Sequence, residues 1–536
     1  MTLSADLLIS NARVFTSDST NPSAQAVAIR GNRIVFVGSD QDAADWRGKS
    51  THKIDAAGCT LMPGFIDSHI HLLKSSLGLE DLHADTVSTY EEFKILLKNY
   101  ANENPDKPWL TGFGFHYNLG PSHTPFHRNH LDAVIADRPV FIISYDFHTA
   151  WANTLALKQA GIFHGADCGA NNEIVLDEHG EATGEVREFG AMEKIKRLLP
   201  KPGPVEKRRL LLKGLKYVSS LGITSVHNMD GNAEQAELYA SCERSAELMV
   251  RVYLPFSFSP DTPFDSLEKD AVGMMHTYQT GSVRSGCVKF FIDGVIESCT
   301  GLLLEDYADR PMSRGATNYE IEYFNSLIVE ADRLGLQICV HSVGDGGVRC
   351  VLDAYKMARR VNGQRDRRHR IEHIELVHPD DISRFAELGV IASMQPYQAA
   401  PCLDNNDAWL WRVGEERWPY SFAWETLRSS GSCLVFGSDW PCVSPNPLLG
   451  VHNALNRRSW KEGCPNQRMT LPNALLSYTQ LAAYAEFQEH CKGQVKPGYL
   501  ADLVLLSKDI FNISPEELKD VHPLITMLDG KIVYEA

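Results

Sequence analysis

Eight short apolar runs recur between residues 60 and 441, and most of the gaps between them hold one amphipathic helical pattern. The runs are TLMPGFIDSHIH (60–71), GITSVHNMD (222–230), MVRVYLPFSF (249–258), GCVKFFIDG (286–294), LQICVHSVGD (336–345), HRIEHIEL (369–376), GVIASMQP (389–396) and CLVFGSDWP (433–441). In one gap, residues 319–335, Ile321, Phe324, Leu327, Ile328 and Ala331 fall at helical spacing. Strand-like runs that alternate with helices predict parallel βα units, and eight of them is the number that closes a (β/α)8 TIM barrel. The fold class expected is therefore α/β.

The two ends of the chain have another texture. DLLISNARVFTSD and QAVAIRGNRIVFVGSD near the start, and LADLVLLSKD and LITMLDGKIVYEA near the end, read as short strands punctuated by Gly-Asn and Asp-Gly turn signals. Residues 1–60 and 490–536 are expected to build one small β-sandwich domain from both termini, with the barrel over 61–73 and 204–489. Residues 74–203 are too long for a connection and carry strand-like segments of their own, WLTGFGF and PVFIISYD. They are expected to form an insertion subdomain after barrel strand 1, over the barrel mouth.

Composition narrows the partners. With 52 basic and 68 acidic residues the formal charge is -16, which disfavours nucleic acid or an anionic membrane surface. The 12 cysteines form no CxxC pair, and Cys287, Cys339 and Cys433 lie in apolar runs, which suits a reducing compartment. The start lacks a basic segment followed by an apolar one, and no stretch reaches the roughly 18 apolar residues of a membrane helix. A cytoplasmic protein is expected.

A barrel places its site at the C-terminal ends of its strands. Those ends carry His69 and His71, His227, Lys289, His341, His373, Gln395 and Asp439. Taken singly, each has a bland alternative. The HxH pair, with Asp67 at the same strand parity, could be a solvated strand end. His341 and His373 could be hydrogen-bonded core histidines, Asp439 a helix N-cap, and Lys289 the partner of Asp293 or Glu297 in an ion pair. Taken together they place four imidazoles and a carboxylate at one end of successive strands, a donor set that suits Zn²⁺ or a similar divalent ion. An ammonium has no lone pair to give. A buried lysine of lowered pKa, however, can react with CO2, and the carbamate formed could bridge two metals.

The order HxH, Lys, His, His, Asp on strands 1, 4, 5, 6 and 8 resembles the amidohydrolase superfamily. MPGFIDSHIH, VKFFIDG, HSVGD, RIEHIEL, FGSDWP and DFHTAWANTLAL (146–157) are similar to amidohydrolase family 3, the YtcJ-like group. The resemblance implies His69, His71 and Asp439 on one metal, His341 with His373 on another, and Lys289 as an N6-carboxylysine bridge, with one or two ions, zinc foremost. It also implies a homodimer. His148, Trp151 and Asn153 look like pocket residues of the insertion, with Glu185 and Arg187 as weaker candidates, and His227 and Gln395 as strand-end neighbours lining the pocket.

Such ligands imply hydrolysis at a carbonyl by a metal-activated hydroxide, with Asp439 handling the proton and His148 or His227 supporting the oxyanion. The bond expected is an amide-type C–N bond in a small N-acyl or aromatic substrate, the aromatics Trp109, Phe113, Phe115, Tyr117, Phe147 and Trp151 being grouped in the insertion. The same ligands would serve an esterase, a lactonase or a metal-dependent decarboxylase. A mononuclear deaminase is disfavoured, because VGDGGVRC follows His341 where an HxxE pair would be needed. A non-catalytic barrel scaffold is disfavoured by the complete ligand set.

Overall fold

The eight apolar runs form one parallel sheet, hydrogen-bonded neighbour to neighbour in chain order. The computed structural model describes residues 4–121, 124–169, 172–399 and 407–536. The barrel strands are Phe65–Ile70, Ile223–Asn228, Arg251–Ser257, Val283–Phe291, Gln337–Ser342, Arg370–His373, Ile391–Met394 and Leu434–Phe436. Helices such as Ile321–Arg333 cover the outside, burying Phe324, Leu327, Ile328 and Ala331 against the sheet. With both faces covered, nearly every strand residue is buried, which is why the runs read as continuous rather than alternating apolar stretches.

The ring is completed at its mouth by the segment after the eighth strand. Asp439 N donates to His69 O (2.6 Å) and His71 N donates to Trp440 O (3.0 Å). Asp67 clasps this seam from the first strand: its carboxylate accepts from Ser438 N (3.0 Å), Ser438 Oγ (2.6 Å) and His69 N (3.1 Å). Burial pushes the Asp67 carboxyl up to about 7 in spite of those donors. The approach is close enough that a Cβ at Gly437 would lie 2.3 Å from His69 N, so only glycine fits there.

The first run is not one strand. Thr60–Pro63 pairs with Arg13–Phe15 and antiparallel with Leu503–Leu506, and the barrel strand starts after Gly64, where a Cβ would meet Thr224 Cγ2 at 2.2 Å. Both termini thus share one six-stranded sheet, which packs on a four-stranded sheet of Leu7–Ser10, Ala26–Arg30, Arg33–Gly38 and His52–Asp55. Val27, Ile29, Val14, Leu61, Leu503 and Met527 fill the space between them. The last hairpin turns at Asp529 and Gly530, both with positive φ (50° and 71°), as an Asp-Gly turn requires.

Residues between the first barrel helix and the next carry a third sheet, in spatial order Glu173–Leu176, Ala182–Arg187, Thr149–Ala152, Val140–Ser144, Leu110–Phe115 and Leu82–His83. It reaches the barrel mouth through Tyr145, whose hydroxyl donates to Glu297 Oε1 (2.9 Å), and through Glu188, which accepts from the Ser298 hydroxyl (3.2 Å) and from Thr300. Among the described residues every cysteine is a free thiol, and no helix is long and apolar enough to cross a membrane.

Barrel and terminal sheet are pinned by a buried ion pair. Arg251, at the start of the third strand, donates from Nε to Asp502 Oδ2 (2.7 Å), from Nη2 to Asp502 Oδ1 (3.0 Å), and again to Asp529 Oδ1 (2.6 Å). Removing one partner leaves the other charge buried and uncompensated. Asp502→Ala should therefore cost about 3 kcal/mol and lower the urea midpoint of unfolding; an unchanged midpoint would show that the joint carries no stability.

Candidate metal centre and active-site cavity

Four imidazoles meet at the C-terminal ends of strands 1, 5 and 6, with ring centroids 5.5 Å apart for His69–His71, 4.7 Å for His69–His373 and 4.6 Å for His341–His373. Three of them have one ring nitrogen fixed on an acceptor outside the cluster, and the fourth, His71, has a carboxylate facing its outer nitrogen. His69 Nδ1 lies 2.7 Å from Glu372 Oε2, His71 Nδ1 3.3 Å from Asp230 Oδ1, His373 Nδ1 2.9 Å from Gln395 Oε1, and His341 Nε2 3.1 Å from Gly294 O. These acceptors place the N–H on the outer nitrogen and turn the other lone pair inward, the arrangement found where histidines ligate a metal.

Asp439 closes the set. Its Oδ1 lies 3.4 Å from His69 Nε2 and 3.2 Å from His71 Nε2, while Oδ2 accepts from Gln398 Nε2 at 2.8 Å. Donor atoms of His69, His71 and Asp439 all fall within 4.8 Å of one another. Although burial pushes the Asp439 carboxyl up, the surrounding His69, His71 and His373 hold it well below the usual carboxylate range. Burial, with the Lys289 charge, lowers His69 to about 4; burial, with the His69 charge, lowers His373 to about 3. Burial also lowers His341, so these three rings are neutral and able to ligate, whereas His71, although burial opposes it, is raised by the Asp230 and Asp439 carboxylates.

Lys289 is fully buried beneath them. Its ammonium stands 4.5 Å from the Phe291 ring centroid and has no hydrogen-bond partner among the described residues. Asp293, one candidate ion-pair partner, accepts instead from Val343 N, Gly344 N and Leu302 N, and Glu297 accepts from Tyr145. Burial lowers the lysine's pKa, with Glu372 opposing. The Lys289 amine and His69 Nε2, both enclosed and without hydrogen-bond partners, are polar atoms that fit a site for an added cation.

Backbone strain gathers at the same place. His373, Ile374 and Asp439 all have positive φ (78°, 51° and 59°), as do Phe147 and Glu188 (64° and 67°) in the insertion facing them. For a β-branched residue such as Ile374 this is an uncommon conformation, and such strain clusters at functional sites.

A cavity of about 880 Å³ opens above the cluster, walled by the insertion on one side and barrel loops on the other. His148 lines it, its Nδ1 2.8 Å from Glu188 Oε2 and its ring stacked on His341 at 5.4 Å. Six other residues expected in the pocket lie outside its lining. Trp151 is packed inside the insertion against Phe115 and Tyr117. Asn153 caps the helix Thr154–Gln159 and donates to Ile135 O and Arg138 O, which occupies its amide fully. His227 is fully buried below the cluster, where it meets Arg370 Nη1 (2.8 Å) and Glu486 Oε1 (3.2 Å). Gln395 holds His373 rather than lining the space. Glu185 and Arg187 pair with each other on the insertion sheet.

Three contributors were missed from sequence. Glu372 and Asp230 orient His69 and His71, and Gln398 holds Asp439. Glu372 was in view inside RIEHIEL, one residue from His373; its opposite strand parity points it at a different neighbour.

An amidohydrolase family model matches residues 53–534. Protein LONG AFTER FAR-RED 3 from Arabidopsis thaliana is 32% identical over 551 residues, covering 99% of this chain and 92% of its own. The N-substituted formamide deformylase from Arthrobacter pascens is 27% identical over 561 residues, covering 100% and 99% respectively. An uncharacterized metal-dependent hydrolase from Pyrococcus horikoshii superposes with a TM-score of 0.74 at 25% identity, over 95% of this chain and 99% of that one.

If the outer acceptors tune the inner nitrogens, Glu372→Gln should weaken divalent-ion affinity about 10- to 100-fold in competition with a chelating dye. Equal affinity in the variant would show that the carboxylate serves only Arg370.

Proposed function

The chain belongs to the amidohydrolase family, as an enzyme of the metal-dependent hydrolase class, and on that premise we propose that its cavity hydrolyses an amide-type C–N bond of a small N-acyl or aromatic substrate. The observation that carries this is the set of four imidazoles beside the Asp439 carboxylate, three of them with the outer nitrogen hydrogen-bonded and His71 facing Asp230. The Arthrobacter relative is named for cleaving an N-substituted formamide, which is a bond of this kind.

His69, His71 and Asp439 would hold one divalent ion, zinc foremost. His341, His373 and Lys289, the last as a carbamate, would hold a second. A bound divalent ion supplies Lewis acidity and brings the pKa of water toward neutral.

The chain's own groups supply the rest. Asp439, with Oδ2 held by Gln398, takes the proton of the attacking water and returns it to the leaving nitrogen. His148 has Nδ1 fixed on Glu188, which leaves Nε2 for the carbonyl oxygen of the substrate. Burial disfavours the charged ring, but the Glu188 carboxylate raises its pKa overall, which suits a donor to developing negative charge. Phe147, Phe189 and Phe291 give the cavity apolar faces that exclude water and accept an aromatic or acyl portion.

Purified enzyme should carry zinc, manganese, iron or cobalt and release formyl or acetyl groups from N-acyl aromatic amines. Asp439→Asn should lower kcat/KM by about 10²- to 10⁴-fold. With labelled bicarbonate, carbon NMR should show a carbamate signal that Lys289→Ala abolishes. A protein without metal and without turnover across that panel would contradict the proposal; metal content and turnover untouched by Lys289→Ala would remove only the bridge.

A further inference from the structure

Lys74 in the cavity wall and Lys196 on the helix beside it are left without ionic partners. Lys74 follows His71 by one helical turn, lines the cavity, and stands 4.2 Å from the centroid of the Phe147 ring. Lys196 ends the helix Glu188–Lys196, whose first turn lines the same cavity, and stands 5.8 Å from the centroid of the Phe189 ring. Among the described residues, neither makes an ion pair or a hydrogen bond.

The acids nearby do not satisfy them. Asp230 faces His71 Nδ1 at 3.3 Å and feels the Lys74 charge without forming an ion pair with it, and Glu188 lies on His148 with the Ser298 and Thr300 hydroxyls. Across the cavity, Glu297 accepts from Tyr145, and Glu375 accepts from Trp409 Nε1 at 2.6 Å. Burial, aided by Asp146 at Glu297 and by Glu297 at Glu375, pushes Glu297 up to about 7 and Glu375 well above its ordinary range, which reduces the negative charge of that wall at neutral pH. Glu193 lies one turn before Lys196 but does not reach it as an ion pair. Burial and the Lys74 charge bring Lys196 down to about 7, a repulsion that a bound anion would relieve. The left-handed backbone at Phe147 holds its ring at the Lys74 ammonium.

We propose that Lys74 and Lys196 form an anion-reading subsite at the cavity mouth, so that the amide substrate carries a carboxylate at the end away from the bond that is cleaved. This rests on the reading of the cavity as the hydrolytic site. The substrate's apolar portion then lies between the lysines and the metal ligands, against the Phe147, Phe189 and Phe291 rings, and the carboxylate fixes which way round it enters.

The test separates recognition from turnover. Calorimetry on the metal-loaded enzyme compares 4-phenylbutyrate with 4-phenylbutan-1-ol, which have no hydrolysable bond. The acid should bind about 10- to 100-fold more tightly than the alcohol. Lys74→Gln and Lys196→Gln should each lower that ratio, the double variant should bring it near one, and Lys74→Arg with Lys196→Arg should retain it. A wild-type ratio near one, or a ratio indifferent to both Gln substitutions because the carboxylate engages the metal instead, would overturn the subsite. Turnover of 4-(4-acetamidophenyl)butyrate and of 4-(4-acetamidophenyl)butan-1-ol is measured separately. No turnover of either with the ratio intact refutes the hydrolytic reading alone; turnover of both with no ratio refutes the subsite alone.

Discussion

Closure of the seam between the first and eighth strands is the constraint on which the mouth of this barrel depends. The Asp67 carboxylate gathers Ser438 N, Ser438 Oγ and His69 N, and the main chain at Asp439 and Trp440 completes the join. That one contact sets His69 and His71 from the chain's first strand against Asp439 from its last, some 370 residues later. The closeness demands glycine at 437 and a left-handed backbone at Asp439. A loosened seam would separate Asp439 from both histidines at once, so barrel closure and site assembly are one event.

Below the seam runs a continuous line of buried charge. Lys492 meets Glu486 at 2.5 Å, Glu486 meets His227, His227 meets Arg370, and Arg370 meets Glu372, which holds His69. Buried charges are costly unless paired and hydrogen-bonded. Here each finds a partner until the line reaches the imidazoles and Lys289, where polar atoms are left facing inward. The chain thus builds a charge-paired polar base, and above it a surface with His69 Nε2 and the Lys289 amine left without hydrogen-bond partners, which an incoming cation would complete.

Much of this was legible in the sequence because a parallel barrel writes itself plainly. Strands buried on both faces give continuous apolar runs, and polar residues at their ends stand out against that background. His69, His71, His341, His373 and Asp439 were found on this contrast, and the structure brings them together. The same rule failed where it counted position along a strand without knowing depth inside the barrel. His227 and Gln395 end apolar runs too, yet one lies in the buried base and the other braces His373. Asn153 and Trp151 were read for chemistry, but a helix cap and an aromatic cluster claim them. Asp230 and Gln398 come from the ends of runs or loops, where three-dimensional closure alone says which histidine or carboxylate they meet. Thr60–Pro63 was merged with the first barrel strand because Gly64 interrupts the sheet without interrupting the apolar run.

X-ray absorption spectroscopy of the protein loaded with zinc tests the centre most directly. A first shell of nitrogen and oxygen with the outer scattering of at least two imidazoles, reduced when His69 or His71 is replaced by alanine, is the result the structure predicts. A shell of oxygen alone, or imidazole scattering unchanged in those variants, would contradict it.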